Sequence, residues 1–359
     1  MSSSVSGKWC SDTNCHSRLV HRPLAGLAGP VALVRLVSLM ALVSLVVLVG
    51  GCGASAPMPG DREVGFTPPE PVGVSVLTGP PTTTTGAPTP DCDPTASLRP
   101  DGPLPPPGQM PAGSTMASIV ASGRLRVGVD QNTYLFGFRD SFSGELEGFD
   151  VDIARQVAAA LFGDPSKIQF VTLTSTQRIP ALQQNQVDIV VRTMTVTCER
   201  WKDVDFSTVY YQAGQRVLVH RDSGYTDLDS LAGKRVCSAA GSTSLRNLAN
   251  APSKPVPVAV RDWTDCLVML QQGQVDAVST DDTILVGMAA QDPNTVVRGP
   301  RFTDEPYGIA VAKGREDLVR FVNAVLERIR LDGTWAGLYQ HWLTELGSAP
   351  APPGARYLP

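Results

Sequence analysis

Apolar residues between positions 150 and 161 recur with the period of a helix that buries one face. The pattern begins after Asp150, a plausible helix cap, and its apolar members are Ile153, Ala154, Val157, Ala158 and Leu161. The run Arg-Leu-Arg-Val-Gly-Val at residues 124–129 predicts a strand ahead of this helix. Two more helices are predicted near residues 315–331 and 333–345.

One pattern of apolar and polar positions occurs twice in the chain. Residues 182–190 read Leu-Gln-Gln-Asn-Gln-Val-Asp-Ile-Val, and residues 270–278 read Leu-Gln-Gln-Gly-Gln-Val-Asp-Ala-Val. Each copy has the order of a helix end, a tight polar turn and a short apolar strand, which is an αβ unit of a mostly parallel sheet. The repeat therefore predicts an α/β protein with two lobes built on one plan. The chain is predicted to cross between the lobes at residues 215–219 and 306–311, and two crossings imply a hinge.

Polar residues that follow the two repeats are candidates for a binding site. The first copy runs into a Thr-Met-Thr segment at residues 193–195, and the second runs into Asp281. Arg200 follows at a predicted helical turn, where its planar fork of donors suits a carboxylate. Ligands of open α/β sheets bind outside the carboxyl ends of the strands, so a cation would face an anion across a cleft, and an α-amino acid is the simplest zwitterion with this polarity. The alternative is that Arg200 is a surface residue paired with Glu199 or Asp203.

Composition indicates a substantial core and gives no sign of nucleic-acid or metal chemistry. The 359 residues are 42% hydrophobic and 18% charged, and the formal net charge is −4. No basic stripe interleaved with aromatic residues occurs, so nucleic-acid binding is not predicted. His220 and His341 are the histidines expected in the mature chain, and there is no CxxC spacing or histidine pair at helical offset. A zinc site is therefore not expected. We also expect no cofactor and no catalytic residue.

The first 51 residues have the pattern of a signal peptide. Arginines precede an uncharged apolar run at residues 36–49, which is shorter than the about 20 residues that a membrane span needs. The run ends in Val-Gly-Gly-Cys, and small residues directly before Cys52 resemble a bacterial lipobox. Cys52 would then carry the lipid that anchors the protein on the extracytoplasmic face of the cell membrane. The alternative is an uncleaved amino-terminal helix.

Residues 52–115 are predicted to form a tether. Stretches rich in proline and threonine, such as residues 80–85 and 103–107, lack apolar periodicity and cannot build a core. We expect an extended, semi-rigid spacer between the lipidated cysteine and the folded body.

Four cysteines remain beyond the one assigned to lipidation. They allow three pairings. Because the extracytoplasmic environment is oxidising, we expect these cysteines to form disulfides. Cys237 and Cys266 fall in the same predicted lobe, so we favour a disulfide between them. That leaves Cys92 to pair with Cys198, which would fix the tether beside the predicted arginine wall of the cleft. The alternative is that the four are free buried thiols.

Six segments, in this order, resemble the amino-acid-binding lipoproteins of ABC importers, the polar-amino-acid branch of the bacterial solute-binding proteins. They are Gly-Phe-Asp-Val-Asp at 148–152, Thr-Val-Thr-Cys-Glu-Arg at 195–200, Asp-Phe-Ser at 205–207, Gly-Ser-Thr at 241–243, Val-Asp-Ala-Val at 275–278 and Pro-Tyr-Gly-Ile-Ala-Val at 306–311. Each segment alone is weak evidence for the family, but the six segments in this order are specific for it.

The resemblance covers residues 124–346 and implies the two-lobed type II periplasmic binding protein fold. In that fold the ligand cleft lies between two mixed, mostly parallel sheets with flanking helices. We expect lobe 1 to comprise residues 116–213 and 307–346, lobe 2 to comprise residues 214–306, and residues 347–359 to form a tail.

The resemblance also implies roles for individual residues. Arg200, Thr193 and Thr195 match the residues that hold the ligand's α-carboxylate. Thr243, which follows Ser242 in the Gly-Ser-Thr segment, matches the hydroxyl of the second lobe that joins them when the lobes close.

Further roles concern the ammonium and the side chain of the ligand. Asp281 matches the acceptor of the α-ammonium, and Tyr134 or Phe136 would supply the aromatic ring that covers the ligand. Arg192 is an additional cation beside the threonines, so we hypothesise a preference for glutamate, aspartate or their amides. The alternative is that Arg192 forms a salt bridge across the strand edge.

The expected function is capture of a polar amino acid by a monomeric protein that delivers it to an ABC permease. An alternative is an amino-acid sensor that signals through a membrane partner. A cleft enzyme such as a dehydratase is a further alternative, whereas a transglycosylase would need a lysozyme-like domain, which is not expected after residue 346.

Overall fold

The computed structural model describes residues 68–77, 79 and 92–359. The predicted signal peptide and the lipidation site at Cys52 lie outside the described residues. No helix within the described ranges combines the length and the apolar character that crossing a bilayer requires.

Lobe 1 is built on a five-stranded mixed sheet. Its strands lie in the order β6 (Ile168–Thr172), β2 (Leu125–Val129), β7 (Ile189–Val190), β16 (Ala310–Ala312) and β8 (Val204–Phe206). Strand β2 runs parallel to β6 and β7, and β16 runs antiparallel to β7 and β8.

Helices cover both faces of this sheet. They are α1 (Thr115–Ser122), α2 (Phe149–Phe162), α3 (Arg178–Gln183), α7 (Glu316–Leu331) and α8 (Thr334–Trp342). Because successive strand residues point to opposite faces, Ile189 joins the core with α2, α7 and α8, whereas Val190 joins the core with Leu182 of α3. The short apolar run of the first repeat is therefore buried on both sides, as expected of a central strand.

Lobe 2 is built on a six-stranded sheet. Its strands lie in the order β1 (Ser75–Val76), β12 (Val256–Val260), β11 (Arg235–Ala239), β13 (Ala277–Asp281), β10 (Gln215–His220) and β14 (Thr295–Arg298). Strand β11 is parallel to β12 and β13, and β10 is antiparallel to β13 and β14. The helices of this lobe are α4 (Thr243–Ala249), α5 (Trp263–Gln271) and α6 (Asp282–Gln291).

Two strands join the lobes. Strands β9 (Tyr211–Ala213) and β15 (Glu305–Tyr307) pair antiparallel and form a separate two-stranded sheet. The chain leaves lobe 1 through β9, a few residues before the crossing that we predicted at 215–219. It returns through β15, which overlaps the start of the crossing that we predicted at 306–311.

The remaining elements are short. A three-stranded sheet contains β3 (Asn132–Thr133), β4 (Gly137–Arg139) and β5 (Leu146–Glu147). Single 3-10 turns occur at Arg200–Lys202, Asp229–Leu231 and Thr344–Leu346.

The duplicated sequence pattern has the local structure that we predicted from it. Helix α3 ends at Gln183 before β7, and α5 ends at Gln271 before β13. The turn of the first copy passes through Asn185 at φ 55°, and that of the second passes through Gly273 at φ 67°. Asn and Gly are the residues that adopt this left-handed conformation most readily, so both copies reverse the chain by the same device.

The predicted tether is wrong for the parts of it that the structure describes. Strand β1 adds to the edge of lobe 2 by pairing antiparallel with β12. The amide of Leu77 donates to the Pro257 carbonyl at 2.9 Å, and the Gln274 side chain donates to the Pro68 carbonyl at 2.8 Å. These residues lack an apolar period, but strand pairing and hydrogen bonds to their backbone groups hold them on the sheet edge.

Residues 92–114 also pack on lobe 1. The buried Ser97 hydroxyl donates to the Phe206 carbonyl at 2.6 Å and accepts from the Asn323 side chain at 2.9 Å. The carboxyl-terminal tail lies on the same segment, because Tyr357 forms a parallel bridge with Ser97 and Arg356 pairs with Asp93 at 2.6 Å.

Both disulfides that we favoured are present. Cys237 in β11 is bonded to Cys266 in α5, with 5.5 Å between the Cα atoms. Cys92 is bonded to Cys198, with 6.0 Å between the Cα atoms, and this bond joins the amino-terminal segment to lobe 1.

Candidate functional site

The two lobes meet at the carboxyl ends of their central strands. Residues of both lobes line a small cavity there, namely Ser175, Arg178, Thr193, Thr195, Arg200, Ser242, Thr243, Ser244, Trp263, Asp281 and Ile284. The cavity measures about 10 Å³, which is close to the least that holds one water molecule. The cleft is therefore closed, and an amino acid could enter only if the lobes separated.

Arg200 is a buried cation on the lobe 1 wall. It opens the 3-10 turn after β7, and its side chain donates to the Thr195 carbonyl at 2.6 Å and to the Gly241 carbonyl of lobe 2 at 3.2 Å. The ion pairs among the described residues do not include it, because Glu199 pairs with Arg246 instead. Burial lowers the pKa of the Arg200 guanidinium to about 10, which leaves it charged at neutral pH.

A second buried cation, Arg178, lines the same cavity. It lies in the first turn of α3, is 3% exposed, and donates to the carbonyls of Ser175 at 3.0 Å and Arg192 at 3.2 Å. The ion pairs of the described residues do not include Arg178 either. Burial lowers the pKa of this guanidinium well below its ordinary value, and the charges of Arg200 and Arg192 lower it further. Such a group favours an anion beside it.

The sequence interpretation missed Arg178, although a topological signal was present. The loop between β6 and α3 leaves the carboxyl end of β6, which is the same sheet edge as the loop after β7. In open α/β sheets both loops border the ligand cleft. The first helical residues after that loop were therefore candidates.

The structure corrects the role predicted for Arg192. Its side chain is 1% exposed and forms an ion pair with Asp130 at 2.7 Å. It also donates to the Leu173 carbonyl at 2.6 Å and to the Ser175 hydroxyl at 2.9 Å, and it does not line the cavity. With its donors bound inside lobe 1, Arg192 matches the alternative interpretation of a structural salt bridge.

Asp281 is the buried carboxyl group on the lobe 2 wall. It ends β13, is 3% exposed, and accepts from the Tyr307 hydroxyl at 2.6 Å and the Ser244 hydroxyl at 3.4 Å. Burial raises the pKa of the Asp281 carboxyl to about 8, and the nearby Glu305 carboxylate contributes in the same direction. A positively charged group in the cavity would stabilise the ionised form of Asp281.

The hydroxyls of Thr195 and Thr243 meet across the cleft on a carboxylate that the sequence interpretation missed. Glu305 of β15 is 2% exposed and accepts from Thr195 at 2.6 Å and from Thr243 at 2.8 Å. Each hydroxyl has one proton, so in this closed form it presents oxygen lone pairs to the cavity. Lone pairs suit an ammonium, whereas we had expected both hydroxyls to donate to a carboxylate.

Thr193 contributes a strained backbone position to the cavity. Its φ of 37° is unusual for a β-branched residue, and its amide donates to the buried Asp150 carboxylate at 2.8 Å. Asp150 also accepts from the Tyr210 hydroxyl at 2.7 Å, and burial raises the pKa of this carboxyl to about 7. The hydrogen bond from the Thr193 amide to Asp150, in the first turn of α2, therefore stabilises the strained backbone conformation.

The predicted aromatic cover is not formed by either candidate. Phe136 is fully buried in lobe 1, with its ring 5.2 Å from that of Tyr211. Tyr134 is 38% exposed and packs edge-on against Phe138 at 5.0 Å. The aromatic residue that lines the cavity is Trp263, from the first turn of α5 in lobe 2.

Ser242 lines the cavity and also caps a helix. Its hydroxyl accepts from the Leu245 amide at 3.0 Å and donates to the Ala239 carbonyl at 2.7 Å. This hydrogen bonding fixes the start of α4 and hence the position of Thr243 in its first turn.

The disulfide to the amino-terminal segment lies beside the Arg200 turn. Cys198 precedes Arg200 by two residues, and the Trp201 indole donates to the Pro94 carbonyl at 2.9 Å. Two contacts from residues 92–94 therefore hold the turn that carries the cleft arginine.

Replacing both Cys92 and Cys198 with serine is expected to lower the free energy of unfolding by about 2–4 kcal/mol and to weaken binding of the cognate ligand by roughly threefold to tenfold. The loss of affinity is expected because the Arg200 turn loses an anchor. Chemical unfolding and titration calorimetry measure the two effects. As a control, replacing Cys237 and Cys266 with alanine should destabilise the protein with a smaller effect on affinity, and unchanged affinity in the first variant would contradict the positioning role.

Comparisons with known proteins cover the two lobes. The family described as bacterial extracellular solute-binding proteins, family 3, matches residues 125–345. The ABC transporter glutamine-binding protein GlnH of Bacillus subtilis is 42% identical over 232 residues, which are 64% of this chain and 85% of that protein. The glutamate-binding protein GluB of Corynebacterium glutamicum is 30% identical over 247 residues, which are 65% of this chain and 81% of that protein.

A solved structure is similar at the level of the fold. The crystal structure of the ancestral amino acid-binding protein AncCDT-1, a precursor of cyclohexadienyl dehydratase, has a TM-score of 0.59 and 35% sequence identity with this chain. The similarity covers 64% of this chain and 99% of that one.

Proposed function

Since the chain belongs to the bacterial extracellular solute-binding proteins of family 3, we propose that it captures a polar amino acid between its lobes and delivers it to an ABC permease. The observation that carries the proposal is that two guanidiniums and an ionisable carboxyl group face one cavity from opposite lobes. Arg200 and Arg178 stand on lobe 1 without an ion-pair partner among the described residues, and the buried Asp281 stands on lobe 2.

The α-groups of the ligand would bridge the lobes. The Arg200 fork would bind the α-carboxylate, and Asp281 with the lone pairs of Thr195 and Thr243 would accept from the α-ammonium. Closure would then desolvate both charges together, and the hinge strands β9 and β15 would allow the lobes to open again. The ligand stabilises the closed form only by its contacts with both walls.

The preferred ligand would be glutamate or aspartate, with their amides next. Two guanidiniums in one cavity supply more positive charge than an α-carboxylate needs, and Arg178 is placed for a second carboxylate. The names of the relatives GlnH and GluB, which refer to glutamine and glutamate, agree with this ligand class.

Calorimetric titration with the common amino acids tests both parts of the proposal. We expect micromolar affinity, about −8 kcal/mol, for glutamate or aspartate and weaker affinity for glutamine and asparagine. Replacing Arg178 with glutamine should remove the preference for the acid over the amide, because the second carboxylate loses its partner. Micromolar binding of lysine or leucine by the wild-type protein would contradict the proposal.

Membrane anchoring through Cys52 and a monomeric state are part of the same proposal. A folded body held outside the membrane by lipid could reach a permease embedded in the same membrane. Signalling through a membrane partner is the competing use of the same binding event, and loss of amino-acid uptake in a deletion strain would distinguish import from sensing.

Catalysis is not part of the proposal. The named relatives are binding proteins, and AncCDT-1 is itself described as an amino acid-binding protein that preceded a dehydratase. Incubation with prephenate or arogenate is expected to leave both compounds unchanged.

A further inference from the structure

The Trp263 indole in the cavity has an unusual hydrogen-bonding state. Its side chain is 3% exposed, and its Nε1–H has no hydrogen-bond partner among the described residues. The other described tryptophans all donate, namely Trp201 to the Pro94 carbonyl at 2.9 Å, Trp335 to the Tyr210 carbonyl at 2.8 Å and Trp342 to the Asp152 carboxylate at 2.7 Å. Among the described tryptophans, Trp263 is therefore the one whose indole N–H is free to donate to a ligand.

The position of this unpartnered donor is also distinctive. Buried side-chain nitrogen or oxygen atoms without a partner occur at five places in the described chain, namely Arg235, Ser253, Trp263, Gln274 and Arg330. Of these residues, Trp263 is the one that lines the closed cleft. A buried donor without an acceptor is costly in a folded protein, which is why it is informative in a residue that lines a binding cavity.

The local structure fixes the start of the helix that carries the indole. Trp263 is the first residue of α5, and Asp262 caps that helix in a capping box with Asp265. Helix α5 packs against β3 of lobe 1, next to Asp130. Trp263 and Arg178 line the same cavity from opposite lobes.

We propose that the Trp263 indole donates a hydrogen bond to a side-chain oxygen of the bound amino acid and thereby determines the ligand class. This inference rests on the proposed function. An indole N–H is a donor only, so it requires an acceptor on the ligand side chain. Carboxylates and side-chain amides supply one, whereas aliphatic side chains and the ammonium of lysine do not. The tryptophan selects acidic amino acids and their amides together, and Arg178 on the opposite wall favours the acids within that class.

Trp263→Phe in the full-length chain tests the inference, because phenylalanine keeps most of the apolar contact and lacks the donor. We expect the affinity for glutamate to fall by about 10- to 100-fold, the range for a hydrogen bond to a charged group, and the affinity for glutamine to fall less. Norvaline has a similar aliphatic stem without the terminal oxygens, so its affinity should change by less than about twofold. An equal loss for norvaline and glutamate would overturn the inference, as would no loss for glutamate.

A second measurement does not depend on the folding of the variant. The indole N–H resonance of Trp263 in the wild-type protein is expected to move downfield when glutamate is added and to move little when norvaline is added. No glutamate-specific shift would overturn the inference.

Arg200→Ala separates the inference from the proposed function. If that variant loses binding while Trp263→Phe does not, the role of the indole is wrong and the amino-acid site stands. If the wild-type protein binds none of the amino acids, both are wrong.

Discussion

Replacing Arg200 with alanine is expected to weaken amino-acid binding by between about 30-fold and several thousandfold. This range corresponds to about 2–5 kcal/mol, the cost of truncating one partner of a buried, hydrogen-bonded charge pair. The loss should be large because Arg200 is 9% exposed and has no carboxylate partner of its own among the described residues. Titration calorimetry with glutamate measures it directly.

Arg246 provides a matched control for this prediction. It is an arginine on the lobe 2 side of the cleft mouth that pairs with the exposed Glu199. Exposed ion pairs contribute about 0–1 kcal/mol, so Arg246→Ala should change affinity by no more than about fivefold. Comparable losses in the two variants, or wild-type affinity in Arg200→Ala, would rule out the proposed carboxylate site.

The two-lobed architecture could be predicted from the sequence because one sequence pattern occurs twice, once in each lobe. Residues 182–190 and 270–278 encode the same helix end, turn and strand, and both copies fold that way. The turn residues Asn185 and Gly273 differ in type but share a left-handed conformation. A pattern that recurs at a distance carries more information than local propensity, because independent segments agree on one structure.

The packing of the amino-terminal segment could not be predicted in the same way. Residues 92–114 are rich in proline and lack an apolar period, which indicates only that they do not build a core of their own. Their order comes from distant partners, such as the Phe206 carbonyl and the Asn323 side chain at Ser97. Hydrogen bonds between residues more than a hundred positions apart leave no local signature in a single sequence.

The two main groups of the candidate site, Arg200 and Asp281, were predicted from the sequence, whereas Arg178 and Glu305 were missed. Arg200 and Asp281 lie in the cavity because each follows a central strand at its carboxyl end. Arg192 also follows such a strand, but its guanidinium is held inside lobe 1 by Asp130. Sequence position identifies the edge of the sheet, whereas only the packed structure identifies the direction in which a long side chain is held.

Asp281 illustrates the conflict between binding and stability that a cleft of this kind contains. In the closed form without ligand its carboxyl is buried beside Glu305, and burial raises its pKa to about 8. The folded protein therefore keeps a proton on Asp281 that the unfolded chain releases near pH 4. Between about pH 4 and pH 8 the folded state binds more protons at this group than the unfolded state, so the contribution to stability falls as the pH rises and is lost above about pH 8.

Asp281→Asn is accordingly expected to change stability and binding in opposite directions. Asparagine does not titrate, so the melting temperature of the variant should exceed that of the wild-type protein by a margin that grows from pH 5 to pH 8.5. The same variant should lose glutamate affinity by about 2–5 kcal/mol, because the ligand's ammonium loses its counter-charge. Thermal unfolding at several pH values and calorimetry measure the two effects, with the exposed Asp203→Asn as a control that should alter neither.

The pH dependence of wild-type binding follows from the same proton. Glutamate binding requires the ionised form of Asp281, so the affinity of the wild-type protein should rise by up to about tenfold per pH unit between pH 6 and pH 8. The residual affinity of Asp281→Asn should be nearly independent of pH in that range, since the group that releases the proton is gone. A wild-type affinity that is constant from pH 6 to pH 8 would contradict the proposal that binding of the ammonium releases a proton from Asp281.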